Sequence, residues 1–215
     1  MQTNQWNAWE VERRLQAAAK ALEANGFPVW VAPDAAAAAT RVEQEADGAR
    51  TVGFGGSVSL VEMELPDRMA RAGKECLIHG APGLSPEERV AVMRRQLTCD
   101  LFVTGANAVT LDGKLVNVDA TGNRVGAMTF GPKKVVAVAG VNKLADDVHA
   151  AMKRIKDWAA PPNARRLGFK TPCAETGFCS DCRSPDRICR VVHILERRPR
   201  LTDFTVILVA EPLGL

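Results

Sequence analysis

The start of this 215-residue chain lacks any long apolar run. The stretch MQTNQWNAWEVERRLQAAAKALEANG carries charges throughout, which excludes a secretory signal or a membrane span there and leads us to expect a cytoplasmic protein. An excess of one charge is lacking as well. Lys and Arg number 28 against 25 for Asp and Glu, and a net +3 gives no general reason to invoke nucleic acid or an anionic membrane surface. Internal repeats and low-complexity tracts are missing apart from the alanines at 35–39, whose pattern is that of a helix core face. Disulfide staples are not needed, because a chain of this length buries a core of its own.

The remaining sequence alternates between helical and strand patterns. Residues 6–25 place Trp9, Leu15, Ala18, Ala19 and Leu22 at helical spacing and stop at Asn25-Gly26. FPVWVA reads as a strand, Asp34 as the cap of a second helix, and TVGFGG as a strand running into glycines before the helix start SVSLVEMEL. ECLIHG is strand-like. LSPEERVAVMRRQL opens with a Ser85 cap and with Pro86 at the first helical position, followed by acidic residues at the positive helix end. The Asp112-Gly113 pair signals a hairpin, KKVVAVAGV a buried strand, and LADDVHAAMKRIKDWA a helix. This alternation predicts a layered α/β domain over residues 1–160, with APPNARRLGFKTP as a linker into a cysteine-rich extension over 161–215. In that extension RVVHILE and DFTVILVAE read either as a hairpin or as strands added to the main sheet.

Two stretches carry binding chemistry. GFGGSVS, residues 53–59, is a glycine-rich turn between strand and helix. There, Gly55 and Gly56 let backbone N–H groups approach an anion, while Ser57 and Ser59 offer hydroxyls. It lacks the Gly-Lys-Ser end of a Walker loop and the spacing of the dinucleotide fingerprint, so the readings are an anion site or a tight capped turn. TGANAVTLDGKLVNVDATGNR, residues 104–124, crowds Asn107, Asp112, Asn117, Asp119, Thr121, Asn123 and Arg124 around the carboxyl end of an apolar strand, where open α/β sheets bind ligands. Turn chemistry also explains several of these residues one by one.

Together, GFGGSVSLVEMEL, the segment TGANAVTLDGKLVNVDATGNRVGAMTFGPKKVVAVAGVNKL, AAPPNARRL and the cysteine tail resemble the lactate-utilisation (LUD) domain family over nearly the whole chain. The resemblance implies a three-layer α/β/α domain of the sugar-phosphate isomerase and CoA-transferase type. It also implies a setting in L-lactate oxidation alongside iron–sulfur subunits. The middle segment is distantly similar to the methylthioribose-phosphate isomerase group as well, where an aspartate stands in place of Asn107. An asparagine takes no proton, so the candidates for proton transfer here are Glu62, Asp112 and Asp119.

The tail TPCAETGFCSDCRSPDRICR holds Cys173, Cys179, Cys182 and Cys189 in an irregular stretch. Four soft thiolates suit Zn²⁺ or a [4Fe–4S] cluster. The spacing is too compact for a paired-knuckle zinc ribbon and departs from the ferredoxin run, so the cluster reading rests on ligand count and on the redox associations of the family. Arg183, Arg187 and Arg190 would offset the thiolate charge, and with Phe178 the one aromatic at hand there is no stacking platform for nucleic acid. Cys76 and Cys99 sit in apolar runs and read as core. His79, His149 and His193 have no partner at ligand spacing and read as satisfied or exposed. The expected function is that of a redox accessory protein of small organic acid oxidation, with a small anionic ligand, an iron–sulfur cluster and electron-transfer subunits as partners. The alternative is a non-redox enzyme or binding protein for a phosphorylated sugar or acyl-CoA, with structural zinc.

Overall fold

The computed structural model describes the backbone of residues 5–215 and the side chains from residue 8 onward. Residues 1–4, the head of the expected first domain, lie outside the described residues. Helix α1 (Gln5–Ala24) buries Leu15, Ala18 and Leu22 along one face. Strand β1 (Val29–Ala32) leads to Asp34, whose carboxylate accepts the N–H of Ala37 and caps α2 (Ala35–Glu45). Next come β2 (Thr51–Phe54), α3 (Val58–Glu62), α4 (Leu65–Arg71) and β3 (Glu75–Leu77). Helix α5 (Pro86–Gln96) starts with the reciprocal bonds of a capping box, Ser85 Oγ accepting from Glu88 N and Glu88 Oε2 from Ser85 N.

Strands β4 (Leu101–Gly105), β5 (Ala108–Thr110) and β6 (Leu115–Asp119) follow, then α6 (Asn123–Thr129) and β7 (Lys134–Gly140). A 3₁₀ turn over Val141–Lys143 precedes β8 (Leu144–Ala145) and α7 (Val148–Arg154). Beyond it lie a π-helical turn (Ile155–Ala159), α8 (Ala160–Arg166), α9 (Pro172–Thr176), β9 (Val191–Leu195) and β10 (Asp203–Val209).

Six parallel strands form the main sheet in the order β1-β10-β7-β4-β2-β3. Helices cover both faces, which is why its central strands are apolar without alternation. Successive residues of β7 serve opposite layers: Val135 packs with Leu22, Phe102 and Phe204, and Val136 with Leu60, Met69 and Ile207. The result is a three-layer α/β/α arrangement. A smaller sheet, β8-β5-β6-β9, is built on the β5–β6 hairpin, which turns at Asp112-Gly113.

Of the two readings of the tail runs, the hairpin does not form. β10 is a strand added to the main sheet, between β1 and β7, while β9 joins β6 in the small sheet. Apolar content decides this. Six of the seven residues of β10 are buried, and only an interior sheet position covers both faces. The packing therefore crosses the boundary expected at 160. The linker expected from APPNARRLGFKTP is helical over Ala160–Arg166, with Pro161 and Pro162 in the first turn of α8. Among the described residues no helix is long and apolar enough to cross a membrane.

Candidate functional site

Strands β2, β4 and β7 are neighbours in the sheet, and their carboxyl ends bring together the glycine turn, Gly105 to Asn107, and the 3₁₀ turn ending at Lys143. That is where parallel sheets bind ligands. A cavity of about 70 Å³ opens there, with Gly56, Ser57, Ser59, Asn107 and Lys143 in its wall. Close approach fixes the glycines around it. A Cβ on Gly55 would lie 2.6 Å from Thr104 Oγ1, and one on Gly105 would lie 2.5 Å from Ser57 Oγ. Ser57 Oγ itself makes no hydrogen bond among the described residues, and α3 behind it has five residues, too short for a strong end charge.

Lys143 supplies the positive charge instead. It is 4% exposed, and its Nζ donates to Ser59 Oγ at 2.7 Å, with no other protein acceptor among the described residues. Burial, followed by the charges of Arg154 and Arg124, lowers its pKa to about 8, with Glu62 pulling the other way. Arg154 stands beside it with Nε on the Asn142 carbonyl and Nη1 on that of Asn107. An ammonium buried with unused donors and no carboxylate bonded to it calls for an anion from outside.

Arg124 borders the same cavity, but its guanidinium is committed to the protein. Nε and Nη2 grip Asp119 Oδ1, Nη1 donates to the Gly105 carbonyl and Asn117 Oδ1, and Nη2 to Asn107 Oδ1 and the Val118 carbonyl. This residue, expected to bind ligand, borders the cavity and locks β4, β6 and α6 together. Asp119 is committed with it, since its other oxygen accepts from Val125 N, so it is poorly placed to act as the expected proton acceptor. Asn117 Oδ1 also takes the Asn107 N–H, while its Nδ2 is buried without a partner.

The other expected residues lie apart. Asp112 bonds to Thr110 and Lys114 at the hairpin tip, and Glu62 accepts from Gly214 N at 2.6 Å. Thr121 is exposed and Asn123 begins α6, and neither is in the cavity wall. Hairpin and helix-end chemistry accounts for both placements.

The four tail cysteines surround a second cavity of about 20 Å³, room for one water-sized guest. All are unpaired and half-buried. Burial and then the neighbouring thiols of Cys179, Cys173 and Cys182 raise the pKa of Cys189, with Arg187 opposing them. Arg187 braces the loop backbone, donating to the carbonyls of Cys189 and Cys182 and to Asp181 Oδ1. Among the described residues no group of three or more His, Cys, Asp or Glu side chains stands in metal-holding geometry as the loop lies. The all-sulfur donor set fits a soft metal or a cluster, and binding one would require the four thiols to draw together. Cys76 is half-buried and Cys99 buried, the latter with its pKa pushed up to about 11, chiefly by burial.

A third cavity, of about 320 Å³, shares Gly56, Ser57 and Val58 with the first and is lined by His79. His149 is exposed on α7, and His193 shares a bond with Thr129 Oγ1 at 2.9 Å.

The family model of the LUD domain matches residues 15–209. This chain belongs to the LUD domain family. A crystal structure of a DUF162 family protein from Deinococcus radiodurans has the same fold, with a TM-score of 0.55 at 14% identity over 93% of this chain and 98% of that one. No curated protein matches the chain.

In this LUD domain the residue missed in the sequence is Lys143. It stands at the end of the segment TGANAV…VAGVNKL that carries the family resemblance, and its one signal is a lone lysine three residues after a buried strand. Packing against Ser59, 84 positions earlier, makes it part of the site.

Proposed function

We propose that this LUD domain is a redox accessory protein of small organic acid oxidation, L-lactate among the acids its family suggests. In this reading an anionic ligand sits on Lys143 beside the Gly55-Gly56-Ser57 turn, and Cys173, Cys179, Cys182 and Cys189 hold an iron–sulfur cluster. One observation carries it: Ala160, Ile188 and Cys189 line both the anion cavity and the cysteine cavity. A ligand in one and a metal group in the other would be separated by the thickness of a single wall. The cluster would supply one-electron chemistry, while the chain itself binds the anion, orients it and excludes water. An electron-transfer subunit would meet the tail, where Phe178 is 79% exposed.

The competing reading keeps the anion site but makes the tail a structural zinc module of a non-redox enzyme or binding protein for a phosphorylated sugar or acyl-CoA. The donor set favours it equally, since four thiolates complete the tetrahedral shell of a structural Zn²⁺. Metal analysis with a visible spectrum on protein purified without oxygen separates the two. Iron and sulfide at about four each per chain, with a broad thiolate-to-iron band lost in Cys182→Ser, supports the redox reading. About one zinc per chain and no colour overturns it.

A further inference from the structure

His79 projects from the loop after β3 into the third cavity, the one that shares Gly56, Ser57 and Val58 with the anion cavity. A buried glutamine fixes its protonation. Gln96 is 1% exposed, and its Nε2 donates to the Phe54 carbonyl at 2.9 Å and the Leu77 carbonyl at 2.8 Å. Those bonds use both amide hydrogens, although Nε2 also lies 3.1 Å from His79 Nδ1. Gln96 Oε1, 3.2 Å from Nδ1, can only accept, so Nδ1 carries the proton and donates it. The neutral ring then presents its bare Nε2 elsewhere.

Nε2 faces the glycine turn. It lies 3.6 Å from where a Cβ on Gly56 would stand and makes no hydrogen bond among the described residues. Nor is it one of the buried polar atoms left without a partner, so it is open to the cavity. Burial lowers the ring's pKa; the Gln96 bond and Asp119 act in the opposite direction, and Arg89 adds to the lowering. Arg166 also borders this cavity, and the rest of the wall is mostly apolar, with Leu60, Val61, Pro66 and Ile78.

We propose that the ligand straddles the glycine turn, its anionic group on Lys143 and a hydroxyl donating to His79 Nε2, so that the site selects hydroxylated organic anions over simple ones. This rests on the anion reading above and adds to it a second contact point, in the neighbouring cavity that shares Gly56, Ser57 and Val58 with the first. A ligand that carries both a negative charge and a hydroxyl supplies a partner to each, and an anion without a hydroxyl leaves Nε2 with water alone.

The test uses the full chain with inorganic phosphate and glycerol 3-phosphate as probes. Nitrogen NMR of the histidine rings, assigned by loss of one signal set in His79→Leu, should show His79 as the Nδ1–H tautomer. Glycerol 3-phosphate should then move the Nε2 resonance and bind at least about fivefold tighter than phosphate, an advantage erased in His79→Leu. An Nε2–H tautomer overturns the proposal in the wild-type protein, whether or not the variant folds. Phosphate binding that needs Lys143 but gains nothing from the hydroxyls overturns this proposal alone. Binding of neither probe, in wild type and Lys143→Gln alike, overturns the anion reading and this one with it.

Discussion

At the scale of single residues, the site is defined by which polar groups the fold has already used. Arg124 and Asp119 look functional in sequence yet satisfy each other, whereas Lys143 and His79 look incidental and keep atoms free. Lys143 is also a stability liability, because burying an ammonium without a bonded counter-charge is unfavourable. Its folded pKa of about 8 lies below the ordinary 10.5, so the unfolded chain holds the proton more tightly. The penalty is therefore fully present below pH ~8 and lifts as pH rises towards ~10.5, the window in which unfolding takes up a proton. Lys143→Met should raise stability at pH 7 by about 2 kcal/mol in urea titrations and abolish phosphate binding. In the wild type, calorimetry should show phosphate affinity falling as pH rises through about 8. Affinity unchanged in Lys143→Met would remove this residue from the site.

At the scale of elements, turns decide which surfaces meet. The β5–β6 hairpin tip docks on the end of α1, where Asn25 Nδ2 donates to the carbonyls of Asp112 and Gly113. Gly113 has φ +83°, and a Cβ there would come within 2.4 Å of the Ala21 carbonyl carbon. Gly113→Ala should therefore cost about 2 kcal/mol or more, seen as a lowered urea midpoint with an unchanged slope. A cost under about 0.5 kcal/mol would mean that the tip is not held against the helix. Farther along, Pro161 and Pro162 lack the N–H groups that would bond back to Asp157 and Trp158. The chain passes this point as a π-helical turn, which sets Ile155 and Ala159 into the wall of the anion cavity. The double proline suggested a linker because its effect on backbone bonds is the same in a loop and at a helix start. Only the helices packed on either side distinguish the two.

At the scale of the molecule, the two ends of the sheet do different work. The carboxyl ends hold the site, and the amino ends are tied by Asp100. Its carboxylate takes Lys133 at 2.8 Å, the N–H groups of Arg50 and Thr51, and the Thr51 hydroxyl. Lys133 first, then those N–H bonds, hold its pKa well below the usual carboxylate range. A depressed folded pKa contributes stability above the unfolded value of about 4 that is lost as pH falls through the folded one. Asp100→Asn should lower stability by about 1 kcal/mol from pH ~5 upward, and the gap to wild type should close in acid below pH ~4. A gap independent of pH would show that the charge plays no part.

Sequence alone was enough for the layered α/β class, the capped starts of α2 and α5, the hairpin at Asp112-Gly113 and the glycine turn. Those features depend on residues a few positions apart, where spacing and turn chemistry act directly. Tertiary structure decided what depends on distant partners. It placed β10 inside the sheet beside β1, set Lys143 against Ser59, turned Arg124 inward onto Asp119, and aimed His79 at Gly56 through Gln96. Whether a polar side chain serves the fold or is left for a ligand depends on which groups surround it after packing, and local sequence does not encode that inventory.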